Sequence, residues 1–270
     1  MSIPIKKLND GVEIPMLGLG TWQQEGEKCV DAVKMALELG YHHIDTAHAY
    51  YNHNEVRKGI GDYPRDKLFI TTKLWREFHS PKLVESTCDQ SLKDLGMDYI
   101  DLYLIHWPER KNMIDILGEM HKLKDKGKVR SVGLCNSMIH HVQDTIDQKV
   151  PISMNQIEFH PFLNQNELLQ FCHKNKIDVT GYSPLAHGKV FKEPIMQEIS
   201  QMHKKTPAQV SLRWLHQKDI IVPPKGSSKE HIQENMEIFD FELSEEEMTK
   251  IDSLGRDERI IVPDFNEFDY

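Results

Sequence analysis

"LGLGTWQ", residues 17–23, decides between two α/β folds. Gly18-x-Gly20 supplies the first two glycines of a G-x-G-x-x-G turn, the device that seats a pyrophosphate at a helix N-terminus in a doubly wound sheet. The third glycine, which lets helix and strand pack closely, belongs at position 23, and the chain has Gln23 there. Such sheets also close a second strand with an acidic residue about 20 residues on. Only Asp45 answers, and it has another use below. The fingerprint is incomplete, so "MLGLGTW" reads as a short strand opening a different fold.

Upstream, "IKKLNDGVEIP" reads as a hairpin around Asn9-Asp10-Gly11. Downstream, Cys29, Val33, Ala36 and Leu37 follow a helical period that ends at Gly40, suited to the turn after a helix. "HHID" is the next strand, before a polar helix over about 52–60. "LFITTKLW" is a β-branched strand whose helix starts at Ser80-Pro81, and "IDLYLIHW" precedes a helix marked by Met113, Ile116, Leu117, Met120 and Leu123. "VRSVGLCN", "ISMNQIEFH", "DVTGYSPLA" and "IIVPPKG" follow as strands, each with helical periodicity after it. A last helix begins "LSEEEM", a capping box of Ser244 and Glu247. Eight strand–helix units, with strands apolar on both faces as buried parallel strands are, give a (β/α)8 TIM barrel. It carries an N-terminal hairpin and an extra C-terminal helix and loop, in one domain spanning 1–270.

Bulk properties narrow the partners. The chain has 270 residues, a net charge of −9 and 39% hydrophobic residues. No basic footprint for nucleic acid or an anionic membrane exists, although a local cationic pocket could still hold a phosphate. No apolar run is long enough to span a bilayer, and "MSIPIKKLNDGVEIP" lacks the apolar core of a signal peptide. Cys29, Cys88, Cys135 and Cys172 lie far apart without a C-x-x-C, which suits free thiols in a reducing compartment. A cytoplasmic monomer is expected.

Chemistry in a (β/α)8 barrel sits at the C-terminal strand ends. Asp45, Lys73 and His106 close the second, third and fourth strands, each the titratable end of an apolar run. One such residue alone is usually structural; three on neighbouring strands fall within side-chain reach of each other. "HHIDTAHAYYNHNEV", residues 42–56, adds four histidines and adjacent tyrosines, Tyr50 and Tyr51, leaving open a metal site, a proton-transfer site or a polar loop.

"GLGTW", "HHIDTAHAY", "FITTKLW", "DLYLIHWP", "NQIEFHP", "GYSPLA" and "PPKGSS…HIQEN", in this order along nearly the whole chain, resemble the aldo-keto reductase family. The likeness is to its compact bacterial members, similar to 2,5-diketogluconate reductases. It implies a barrel that reduces aldehydes and ketones to alcohols with a nicotinamide dinucleotide, usually NADPH with NADH possible, and a small-molecule carbonyl as partner. It also implies a catalytic tetrad of Asp45, Tyr50, Lys73 and His106. Tyr50 takes the role because it stands five residues after Asp45 in D-T-A-x-x-Y, which leaves Tyr51 as a packing or rim residue. A phenol with a reference pKa of about 10 is a weak acid near neutrality, and a nearby ammonium lowers it. Lys73 would supply that charge, Asp45 would keep Lys73 protonated, and His106 would orient the carbonyl oxygen.

The resemblance carries over further residues. Thr21 and Asp45 lie near the nicotinamide ribose; Asn136 and Gln156 hold the carboxamide; Tyr182 stacks on the ring, beside Ser183. Lys225, Ser227 and Ser228 form the anion site for the 2′-phosphate, His231 stands where an arginine is common, and Glu234 and Asn235 contact adenine. Trp22, Trp75 and Trp107 line the substrate mouth, and the tail "RIIVPDFNEFDY" covers it. Cys135 replaces a serine and His53 a glutamate of the family pattern. A histidine is mostly neutral near pH 7, so His231 weakens the preference for NADPH over NADH.

Two rival readings exist. A metal-dependent hydrolase on the same barrel needs several ligands converging on one ion, whereas consecutive His42 and His43 in a strand point to opposite sides; no metal is expected. A non-catalytic NADP(H)-binding or scaffold protein of the same fold is the other, and the intact tetrad argues against it.

Overall fold

The computed structural model describes residues 2–226 and 228–268. A hairpin of β1 (Ile5–Lys7) and β2 (Glu13–Pro15) comes first, paired antiparallel. Seven parallel strands then follow in sheet order: β3 (Leu19–Gly20), β4 (His43–Asp45), β5 (Phe69–Leu74), β6 (Ile100–Ile105), β7 (Val129–Cys135), β8 (Met154–Glu158) and β9 (Asp178–Tyr182). Between them run α1 (Gly26–Glu38), α2 (His53–Ile60), α3 (Val84–Leu95), α4 (Met113–Asp125), α5 (Ile139–Asp147) and α6 (Asn166–Lys174). After β9 come α7 (Pro194–His203), α8 (Pro207–Gln217), α9 (Lys229–Met236) and α10 (Glu245–Asp252). No helix among the described residues is long and apolar enough to cross a membrane.

The eighth strand predicted at "IIVPPKG" does not form a ladder, yet it closes the barrel. Ile221 bridges Thr180 of β9, and Val222 bridges Leu17 on the other side. Pro223 and Pro224 lack the N–H groups a ladder requires, so pairing survives only as single bridges around them. The close approach has a requirement of its own: a Cβ on Gly20 would meet the Pro223 carbonyl oxygen at 2.5 Å. The glycine that looked like half of a dinucleotide fingerprint is a closure residue.

Strand alternation sorts the side chains into two cores. Ile44, Ile70, Leu74, Tyr103, Ile105 and Val132 face the helices. Phe69, Leu102, Leu104 and Met154 point into the barrel, where Leu8, Val12 and Ile14 of the hairpin region pack against them. The hairpin thus plugs the N-terminal mouth and leaves the other end for chemistry. By the same alternation Asp45, Lys73, Cys135, Gln156 and Glu158 face inward at the C-terminal ends.

Local signals behaved as expected with one exception. Ser244 and Glu247 form the capping box of α10, and Gly40 takes φ 96° after α1. The helix anticipated at Ser80-Pro81 opens with a 3-10 turn, Pro81–Leu83, and Ser80 makes no side-chain cap. Trp214 is fully buried on α8, its indole N–H donating to Asp252 Oδ1 at 2.9 Å.

Candidate active site

At the C-terminal end of the barrel the strand ends surround a cleft of about 850 Å³. Beneath it lies an ion pair that is almost free of water. Lys73 Nζ donates to Asp45 Oδ1 at 2.6 Å and to the Thr46 carbonyl at 2.8 Å. Lys73 is wholly buried, and Asp45 is 4% exposed. Burial alone would depress the ammonium, but the Asp45 carboxylate, with Tyr50 and Cys135 beside it, more than reverses this and raises its pKa. Gln156 Nε2 donates to the other Asp45 oxygen at 2.7 Å, a link that strand-end reasoning missed. Removing either member of such a pair leaves an uncompensated buried charge.

Tyr50 and Tyr51 diverge because the chain reverses between them. Tyr50 ends a one-turn 3-10 helix, His48–Tyr50, and Tyr51 follows in the left-handed region at φ 54°, 79% exposed. Tyr50 packs its ring edge-on to His106, centroids 5.7 Å apart, and Lys73 Nζ lies 5.2 Å from the ring centre. Tyr51 stands at the rim, outside the packed interior. The expectation that Lys73 sets the phenol below its ordinary value needs correction. Desolvation in the cleft pushes Tyr50 up to about 12, and Lys73 is the largest influence opposing that rise. His106 is driven well below its usual range by burial and by Lys73, so it is a neutral imidazole.

The residues assigned to a cofactor divide into two groups. Thr21, Asn136, Gln156, Tyr182, Ser183 and Lys225 all line the cleft. Thr21 Oγ1 donates to the Asp45 carbonyl at 3.0 Å. Asn136, at φ 59°, donates to the His106 carbonyl at 2.9 Å and accepts from the Tyr182 hydroxyl at 2.6 Å. Cys135 lies beside these amides, 3.2 Å from Asn136 Nδ2 and 3.8 Å from Gln156 Oε1. Lys225 is exposed, donating to the Gln23 carbonyl at 3.2 Å. Ser228, His231, Glu234 and Asn235 lie further out on α9 or its cap. The Ser228 hydroxyl accepts from His231 N, His231 is exposed, the Glu234 carbonyl accepts from Gln209, and Asn235 is buried. Ser227 lies outside the described residues. Amides, an aromatic hydroxyl and a cation lining one cleft fit a carboxamide-bearing ring joined to an anion.

The three tryptophans line the cleft with partners that no local pattern announced. Trp75 meets His106 at 5.2 Å and Phe265 at 5.8 Å, Trp107 meets Phe265 at 5.6 Å, and Trp22 stacks on His187 at 5.8 Å. Ile260 to Pro263 and Phe265 form one wall, so the tail covers the cleft. Of the four histidines of residues 42–56, His42 bonds to Tyr63, His43 to Thr71 and His53 to Thr72, while His48 packs edge-on against Phe78 at 4.8 Å. Among the described residues no group of three or more His, Cys, Asp or Glu is placed to hold a metal ion. His53, which replaces a glutamate of the family pattern, ties α2 to β5 by its 2.9 Å contact with Thr72 Oγ1.

A model of the aldo/keto reductase family matches residues 16–256. The chain belongs to the aldo/keto reductase family. As a member it is an oxidoreductase that reduces carbonyl groups with a nicotinamide cofactor. It is 40% identical to a glyoxal reductase of Bacillus subtilis (strain 168), covering 94% of each chain. It is 42% identical to the methylglyoxal reductase DkgA of Yersinia pestis over 95% of each. The crystal structure of MGS-M4, an aldo-keto reductase enzyme from a Medee basin deep-sea metagenome library, superposes with a TM-score of 0.93 at 38% identity. That match covers 99% of this chain and 100% of the other.

Proposed function

We propose that this aldo/keto reductase reduces small aldehydes and dicarbonyls, with Tyr50 as general acid and NADPH as the preferred cofactor. The observation that carries the reading is the dry Asp45–Lys73 pair set against the Tyr50 ring, with neutral His106 across it. A nicotinamide held in this cleft would supply the hydride for the carbonyl carbon. Tyr50 gives its proton to the carbonyl oxygen as negative charge grows there. An alkoxide is a far stronger base than a phenolate, so a phenol held at about 12 still transfers its proton downhill. Lys73 faces the charge left on the phenolate, and Asp45, held by Gln156, keeps Lys73 protonated. His106, neutral and in the cleft wall, presents an N–H to the carbonyl oxygen and fixes its direction.

Cofactor preference rests on Lys225, a cation lining the cleft three residues before Ser228, the cap of α9. Exposed His231 gives that region less positive charge than an arginine would, so NADH serves as a weaker substitute. The substrate class follows the glyoxal and methylglyoxal reductases named above. One barrel domain over 1–270, acting as a cytoplasmic monomer, completes the reading; four buried free thiols suit a reducing compartment.

The test is consumption of NADPH and NADH in the presence of glyoxal, methylglyoxal and aryl aldehydes. Oxidation of NADPH that depends on the carbonyl, at a higher kcat/KM than with NADH, is expected. Protein that binds NADPH and turns over none of these would instead be a cofactor-binding scaffold.

A further inference from the structure

Glu158 ends β8, two residues after Gln156, and is wholly buried together with His160. A carboxylate there is costly unless every lone pair is answered. Three donors answer it. His160 Nε2 lies 2.9 Å from Oε1, the Ile260 amide donates to Oε1 at 2.7 Å, and the Ile261 amide donates to Oε2 at 2.9 Å. Burial alone would raise the Glu158 pKa; these hydrogen bonds override it and hold the group below its ordinary value.

The position of these contacts along the tail is informative. Before Ile260 the segment is tied to the barrel at several points: Arg256 N and Glu258 N donate to the Phe162 carbonyl, and the Arg259 guanidinium donates to Gln165. From Ile260 on, the chain becomes the cleft wall. Glu158 therefore grips the point where an anchored segment turns into a wall. The grip is on backbone N–H groups, so the Ile261 and Val262 side chains are not consumed by it.

We propose that Glu158 is a positioning residue for substrate, holding the C-terminal segment through the Ile260 and Ile261 amides so that Ile261, Val262 and Phe265 form a fixed wall. The proposal rests on the reading that this cleft takes the carbonyl substrate. Glu158 touches neither Tyr50 nor the Asp45–Lys73 pair in the hydrogen bonds it makes. Its loss therefore acts on substrates long enough to reach the wall and spares the smallest ones.

Glu158→Gln keeps the shape, removes the charge and turns an amide toward a tail N–H. Hydrogen exchange followed by mass spectrometry should show faster exchange in the peptide containing Ile260 and Ile261. The KM for a bulky aryl ketone should rise about tenfold, the scale of losing a hydrogen bond to a charged group. With methylglyoxal, KM should move less than about twofold and kcat should be retained. Unchanged exchange, or an aryl-ketone KM that stays level, falls, or moves together with that of methylglyoxal, overturns the proposal. If thermal unfolding shows that Glu158→Gln does not fold, Glu158→Asp, which keeps the charge but shortens its reach to the Ile260 and Ile261 amides, must give the same split or the proposal fails. The exchange measurement needs no turnover, so a chain that reduces no carbonyl would refute the catalytic reading and still leave the tail anchor testable.

Discussion

At the scale of single residues, burial rather than the neighbouring ammonium dominates Tyr50, the proposed acid. Tyr50 is held at about 12 although Lys73 opposes the rise, so the phenol stays protonated throughout the neutral range. With Tyr50 as the proposed general acid, reduction draws on the protonated phenol and should be level from about pH 6 to 9. On the same proposal alcohol oxidation draws on the phenolate, whose fraction grows tenfold per pH unit below the pKa, so that rate should climb across the same range. Initial rates in both directions, measured over pH with saturating cofactor, check this. A reduction rate that already declines with a midpoint near pH 7 would place the phenol far lower than the site holds it.

Among the elements, β4 and α2 carry histidines whose burial makes them pH sensors of stability. His43 and His53 are each pushed down to about 4, first by burial. Between that value and the unfolded value of about 6.5 the unfolded chain binds a proton and the folded chain does not. The stabilisation is complete above about pH 6.5 and is lost as pH falls, by up to ~1.4 kcal/mol per unit for each histidine. Thermal midpoints should fall between pH 7 and 5, and His53→Gln should flatten that fall. Equal slopes for variant and wild type would mean His53 takes no part in it.

Across the whole molecule, legibility followed the range of the interaction. Strands β5 and β6 were readable because buried parallel strands are apolar on both faces. The charged ends Asp45, Lys73 and His106 stood out against that background. The eighth strand was readable as a barrel element, but its reduction to bridges followed from Pro223 and Pro224, whose effect on pairing depends on where neighbouring strands lie. Tyr50 was separated from Tyr51 only by the family spacing; the left-handed turn at Tyr51 that parts them leaves no mark in composition. The bonds from Ile260 and Ile261 to Glu158 join residues about a hundred positions apart through backbone groups, so no side-chain pattern announces them.

The central claim is that Tyr50, and not the tyrosine beside it, supplies the proton. Tyr50→Phe and Tyr51→Phe, each assayed for NADPH-dependent methylglyoxal reduction with NADPH affinity measured in parallel, test it directly. Tyr50→Phe should lose about 10²–10⁴-fold in kcat with NADPH affinity unchanged, while Tyr51→Phe stays within about twofold of wild type. Retained turnover in Tyr50→Phe, or loss confined to Tyr51→Phe, would contradict the account.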